Sequence, residues 1–257
     1  MILSKEQEQE LIEKVKKKPM SLKDIKTQTE VICLEAVKQD GDVLRYVENQ
    51  SYEICLEAVK ENGHALEYVK NQTPELCWEA VRRNGWALQY VENQSHEICL
   101  EAVKQNGRAL EYVKHQTKEV CLEAVKQNGY ALEYVNEQTT EICLEAVKCY
   151  GRALSYVKNP TKKICLEAIK ESSHALREVE NQTEVMCLMT LLNEEVYEEE
   201  VLCISYVNSL TDEMRMIQKI LEKREPVSYR KVRSQLTNKG ISLKDSRYHV
   251  LEQLYSF

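Results

Sequence analysis

The sequence is poor in the residues that interrupt helices or build sheets: its 257 residues include 4 Pro, 7 Gly and 1 Phe, and aromatic residues total 7%. Leu, Glu, Lys, Gln and Ala dominate instead, all strong helix formers, so helix is expected almost throughout and sheet-based enzyme folds are not. No apolar run approaches the roughly 18 residues needed to cross a bilayer, which removes the membrane as a partner. The opening residues, MILSKEQEQELIEKVKKKP, contain no stretch that would serve as a signal-peptide core, so the expected location is the reducing cytoplasm.

Thiol pairs of the C-x(2-4)-C type that hold zinc are missing, as is a Gly-rich phosphate loop. His64, His96, His115, His174 and His249 are dispersed, with no Ser or Cys nucleophile and acid arranged around any of them. Neither enzymatic activity nor a cofactor, metal or small-molecule substrate is expected. The formal net charge of -7 disfavours attraction of the whole surface to nucleic acid, while 43% hydrophobic residues are enough for a folded core. The ten cysteines, without an export signal, read as free thiols. Asn49, Asn71, Asn93 and Asn181, each in an Asn-x-Ser/Thr match, read as loop residues and not as glycan sites.

Eight of those cysteines, Cys33, Cys55, Cys77, Cys99, Cys121, Cys143, Cys165 and Cys187, recur every 22 residues. Such a period identifies a repeat protein. Ser or Thr stands four residues before each cysteine, where its hydroxyl can cap a helix N-terminus. Eight residues after the first six stands a glycine, from Gly41 to Gly151, which reads as a left-handed helix C-cap and sharp turn. At 100° per residue Ile98, Cys99, Leu100, Ala102 and Val103 share one side of the first helix, opposite Glu97, Glu101, Lys104 and Gln105. After the glycine, Ala109, Leu110, Val113 and partly Tyr112 mark a second, shorter helix. One such αα-hairpin cannot bury its own core, so the expected fold is all-α: an α-solenoid of 22-residue αα-hairpin repeats with a C-terminal three-helix module. The boundaries read as an N-terminal capping unit at 1–28, seven regular repeats at 29–182, a degenerate repeat with an insertion at 183–210, and a basic tail at 211–257.

The strings AVKQNGRALEYV (102–113) and AVKQNGYALEYV (124–135) resemble a functionally uncharacterised family of tandem two-helix repeats whose units read much like AVKQNGxALxYA. The resemblance covers about residues 27–182, with units shorter than the family's usual ones. It implies a helical repeat fold and supplies no catalytic residues.

Near-identical copies make internal variation informative. Immediately after the glycine position stand Asp42, His64, Trp86, Arg108, Tyr130, Arg152 and His174; three residues later stand Arg45, Glu67, Gln89, Glu111, Glu133, Ser155 and Arg177. Both sets are expected on the exposed face of the second helix, forming two ladders that bind another macromolecule, most simply a protein. The candidate partner-binding residues are His64, Trp86, Arg108, Tyr130, Arg152, His174, Arg45, Gln89 and Arg177. By contrast, the constant pairs of Glu35 with Lys38, Glu57 with Lys60 and their equivalents read as a solvated ion-pair ladder. The recurring Tyr46, Tyr68, Tyr90, Tyr112, Tyr134 and Tyr156, and Gln50, Gln72, Gln94, Gln116, Gln138 and Gln182, read as bonds between neighbouring repeats with the phenol half buried.

Residues 210–257 break the period and carry 10 Lys and Arg against 6 Asp and Glu, whereas residues 1–209 carry 25 against 36. The order of three predicted helices, with LTNKGISLKDSRYHVLEQL at the end, resembles a winged-helix or helix-turn-helix domain. That resemblance implies an alternative, a nucleic-acid-binding regulator in which Lys244, Arg247 and Tyr248 face the major groove and Arg230, Lys231 and Arg233 meet phosphates.

Overall fold

The computed structural model describes residues 3–183 together with Met186, Met189 and Thr190. The degenerate repeat's insertion, Cys187 and the basic tail lie outside the described residues. Among those described there is no strand, and helices alternate in type: α1 (Lys5–Lys17), α2 (Glu30–Gln39), α3 (Tyr52–Glu61), α4 (Pro74–Arg83), α5 (His96–Gln105), α6 (Lys118–Gln127), α7 (Thr140–Cys149) and α8 (Lys162–Glu171) are each followed by a six-residue 3-10 helix. The architecture is an α-solenoid of tandem repeats. The chain divides into two compact units, Met1–Asn136 and Glu137–Phe257. Within the first, each of α1 to α5 packs on the next; within the second, α7 packs on α8.

Each α-helix begins where the cap pattern places it. Ser51 Oγ accepts from Ile54 N at 3.3 Å and Thr73 Oγ1 from Leu76 N at 3.3 Å, and the same bond opens every helix from α2 to α8. α1 opens with a capping box between Ser4 and Gln7. The buried stripe repeats as Ile or Val or Leu, Cys, Ala and Val or Ile; Cys99 is 4% exposed, while Ala102 and Val103 are fully buried.

The second helix of every repeat is a 3-10 helix, for example Gly63–Tyr68 and Gly107–Tyr112, and not a short α-helix. The α and 3-10 periods differ little over six residues, and both bury Ala109, Leu110 and Val113. The type matters because 3.0 residues per turn eclipses positions three apart, which sets the two variable positions of a repeat directly one above the other. An Asx turn starts these helices in the first compact unit. Asn62 Oδ1 accepts from His64 N at 3.0 Å, and Asn84, Asn106 and Asn128 do the same for Trp86, Arg108 and Tyr130.

The glycine is not the left-handed C-cap expected from the Asn-Gly signal. The cap residue is the preceding Asn or its substitute, in extended backbone such as φ -139° at Asn62, and the glycine is the first 3-10 residue. Its role is space. A Cβ on Gly41 would stand 2.5 Å from the Ala58 carbonyl oxygen, and one on Gly85 would stand 2.6 Å from that of Ala102. The 3-10 helix of one repeat thus lies with its first Cα against the backbone of the next repeat's α-helix.

Polar bonds between repeats run through one glutamine each. Gln94 Nε2 donates to Tyr112 O at 2.8 Å and to Leu88 O at 3.3 Å, while Gln94 Oε1 accepts from Lys114 N at 2.9 Å. Its Oε1 also faces the Cys99 Sγ at 3.6 Å. The link to the next repeat's tyrosine carbonyl recurs at Gln28, Gln50, Gln72 and Gln116, and within the second compact unit at Gln138. Lys70 and Lys114 add a donor to the carbonyls of Glu48 and Glu92, each at 2.8 Å.

Two stability outcomes follow. Gly85→Ala is expected to lower stability by about 1 to 3 kcal/mol, because the methyl has only backbone to displace. Gln94→Leu is expected to cost about 2 to 4 kcal/mol, because it leaves the Tyr112 carbonyl and Lys114 amide without their partner. Urea unfolding followed by circular dichroism checks both, and a midpoint equal to wild type in either variant contradicts the role given to that residue.

Candidate functional site

Variation between repeats concentrates on the surface of the 3-10 helices. Arg45, Glu67, Gln89, Glu111, Glu133, Ser155 and Arg177 are exposed as expected. The position after the glycine is different: Arg108 and Arg152 are exposed, but His64, Trp86, Tyr130 and His174 are half buried. For His64 and Trp86 the cause is a lean onto the next repeat. The His64 ring meets Tyr90 edge to face with centroids 5.7 Å apart, and Trp86 meets Tyr112 the same way at 5.7 Å. Arg108 reaches the Tyr134 phenol oxygen at 2.8 Å and the Glu133 carboxylate at 3.8 Å. His64, Trp86 and Arg108 therefore each sit on a constant tyrosine of the following repeat.

The constant asparagine completes that seat. Asn62 Nδ2 donates to Asp42 Oδ1 at 2.8 Å, and Asn84 Nδ2 lies 2.8 Å from His64 Nε2. An amide nitrogen only donates, and the Asn84 oxygen is already committed to Trp86 N, so His64 Nε2 is the acceptor in this bond. The second ladder partly folds back on its own helix: Gln89 Nε2 donates to Trp86 O at 3.1 Å and Ser155 Oγ to Arg152 O at 3.0 Å. Arg45 does more. Its Nε donates to Asp42 O at 3.0 Å, and its guanidinium lies 4.6 Å from the centre of the Tyr68 ring.

Electrostatics on this face are governed by desolvation and by Glu67. Burial pushes the Tyr68 phenol up, opposed by the Arg45 charge and reinforced by Glu67. Burial pushes Tyr90 up as well, followed by the Glu67 charge and a hydrogen bond from the phenol to it. Tyr46, Tyr68, Tyr90, Tyr112, Tyr134 and Tyr156 are all half buried; across the repeat boundary it is their carbonyls, not their phenols, that the glutamines hold.

The ion-pair ladder is present on the α-helices, with Glu35 and Lys38 at 3.3 Å, Glu57 and Lys60 at 3.1 Å, Glu79 and Arg82 at 2.9 Å, and Glu145 and Lys148 at 2.9 Å. Among the described residues no group of three or more His, Cys, Asp or Glu could hold a metal ion. His96 pairs with Glu119 at 3.2 Å, and His115 is exposed. A cleft of about 550 Å³ lined by Gln28, Cys33, Gln50 and Lys70 follows the seam between repeats. Its glutamines are already bonded across that seam. Lys244, Arg247, Tyr248, Arg230, Lys231 and Arg233 lie outside the described residues.

One surface feature escapes the sequence pattern. Leu34, Leu56, Leu100, Leu122, Leu144 and Leu166 are half buried, and Trp78 at the same position is 40% exposed. Leu100 belongs to the flank of the buried stripe and not to its centre, because it is the member furthest around the helix from Ile98 and Ala102. The substitution of Trp78 for leucine was the available signal.

The seven repeat cysteines Cys33, Cys55, Cys77, Cys99, Cys121, Cys143 and Cys165 are buried, and desolvation raises each of these thiols above its ordinary range. For Cys33 the value is pushed up to about 11, with Glu48 and Glu30 adding to the burial. A thiol that resists ionisation is a poor nucleophile and a poor metal ligand.

In comparisons with known proteins, the pattern of a family described as Domain of unknown function (DUF4116) matches residues 32–73, 51–95, 73–116, 95–140 and 117–162. Each match spans two of the 22-residue repeats, and from the second onward the matches advance by one repeat at a time, which accounts for the apparent difference in unit length. No curated protein and no solved structure matches the chain.

The thiols give this site a pH signature. A folded pKa above the unfolded value means that the native state holds its proton longer, so stability is undiminished below the ordinary thiol pKa of 9.0 and falls as pH rises towards about 11. Thermal melts are expected to show a decline over that window that is smaller in Cys33→Ala. An equal decline in the variant refutes the contribution of this thiol.

Proposed function

Because the chain belongs to the DUF4116 family, which carries no assigned activity, we propose from its surface that it is a non-enzymatic repeat scaffold that binds another macromolecule, a protein, through the variable positions of its 3-10 helices. The observation that carries this reading is the division of labour within each repeat. Core and cap positions are held constant, as is the glutamine except where Pro160 stands, whereas two eclipsed positions, such as Trp86 with Gln89 and Arg108 with Glu111, change from copy to copy. Drift on a solvated surface does not call for Trp or Tyr at such positions, and interfaces are enriched in Trp, Tyr and Arg. The constant tyrosines and asparagines beneath these residues limit their motion, which lowers the entropy a partner must overcome on binding.

The test is affinity purification with wild type and with the double variant Trp86→Ala plus Tyr130→Ala, after circular dichroism has established that the variant is folded. Partner recovery is expected to fall to background for the variant. Unchanged recovery by a folded double variant refutes the reading.

A further inference from the structure

The proposed ladder also carries information about what it would grip. On the first compact unit, two of the constant tyrosines already hold a guanidinium from this chain: Arg45 lies 4.6 Å from the centre of the Tyr68 ring, and Arg108 lies 5.7 Å from that of Tyr134, with Glu133 as its counter-charge. Between them the same ring recurs without an arginine, with Gln89 before Tyr90 and Glu111 before Tyr112. Tyr90 is met edge-on by His64 and feels the charge of Glu67, and Tyr112, which follows the exposed Glu111 in the chain, is met edge-on by Trp86. The paired rings close on each other, so a planar cation would stack on the solvent side of the half-buried His64 or Trp86 ring, where ring quadrupole and exposed carboxylate act together.

Resting on the reading of this face as a binding surface, we propose that it docks an extended basic peptide, seating one Arg side chain against Trp86 and Glu111 and a second against His64 and Glu67. The charge of the chain favours this occupant: residues 1–209 carry 36 acidic against 25 basic residues, and the exposed second ladder includes Glu67, Glu111 and Glu133. A phosphate backbone would meet those carboxylates with repulsion. Successive repeats packed about 8 to 10 Å apart match roughly three residues of an extended chain, so the spacing recognised is Arg-x-x-Arg.

The experiment uses the full chain and a fluorescein-labelled 12-residue peptide containing Arg-x-x-Arg, with matched peptides in which both arginines are citrulline or glutamate, and with oligouridylate as a nucleic-acid probe. Fluorescence anisotropy is expected to show saturable binding of the arginine peptide that weakens with salt, and weaker binding of the citrulline peptide. Trp86→Ala and the conservative pair Glu67→Gln plus Glu111→Gln are each expected to weaken binding by about tenfold or more. Glu67 and Glu111 are exposed, so their glutamine variants keep the comparison valid if Trp86→Ala fails to fold. Binding of the glutamate or citrulline peptide as tight as that of the arginine peptide, and lost in Trp86→Ala, overturns the cation claim while leaving the face as a binding surface. Preferred binding of oligouridylate, no binding of any peptide, or arginine-peptide binding indifferent to both sets of variants also overturns the proposal. Partner recovery in the affinity purification remains the separate measure of the broader reading.

Discussion

The array depends on a glutamine carboxamide that finds its partners in the adjoining repeat. Gln94 spans from its own 3-10 helix to the carbonyl of Tyr112 and the amide of Lys114, 18 and 20 residues further on. A lone repeat offers its glutamine neither of those partners, and the backbone groups it meets would then be left to water. Hydrophobic burial draws the helices together, but a greasy stripe tolerates sliding. A four-way bonded carboxamide does not, because a small displacement breaks several bonds at once. The glutamine therefore converts non-specific stacking into fixed register, and with it the alignment of the 3-10 helices that carry the variable side chains.

Much of this was legible because α-helical geometry writes itself into the chain at short range. The cap at Ser95, the stripe of Ile98, Cys99, Ala102 and Val103, and the thiol at its centre are all set within a single helix. The features that were not legible all have their cause one repeat away. Gly85 is followed by Trp86 in a context that suggests a left-handed turn, yet the group that demands glycine is the Ala102 carbonyl. Trp86 reads as a solvent-facing residue until Tyr112 is seen against it. The 3-10 character of Gly107–Tyr112 is hidden for another reason: in six residues both helical periods bury the same side chains.

The half-buried state of the post-glycine position has a physical benefit for recognition. A fully exposed Trp samples many rotamers and loses that freedom when a partner arrives. A Trp resting edge-on against a tyrosine has lost part of it on folding. The repeat therefore separates two tasks that surface residues usually combine. Tyr and Asn set where the variable group points, and the variable group sets what it meets. Changing the second leaves the first intact, as the sequence of His64, Trp86 and Arg108 on successive tyrosines illustrates.

Each seam from α2 to α6 uses the same kinds of atoms at the same offsets: glutamine to tyrosine carbonyl, glycine to alanine carbonyl. It follows that recombination between two copies, in phase, joins surfaces that already fit. Excising or adding twenty-two codons at such a junction leaves no scar in the protein. The gene can lengthen, shorten or shuffle its reading surface in whole steps, with selection acting on the order of the side chains displayed and not on the mending of a broken core.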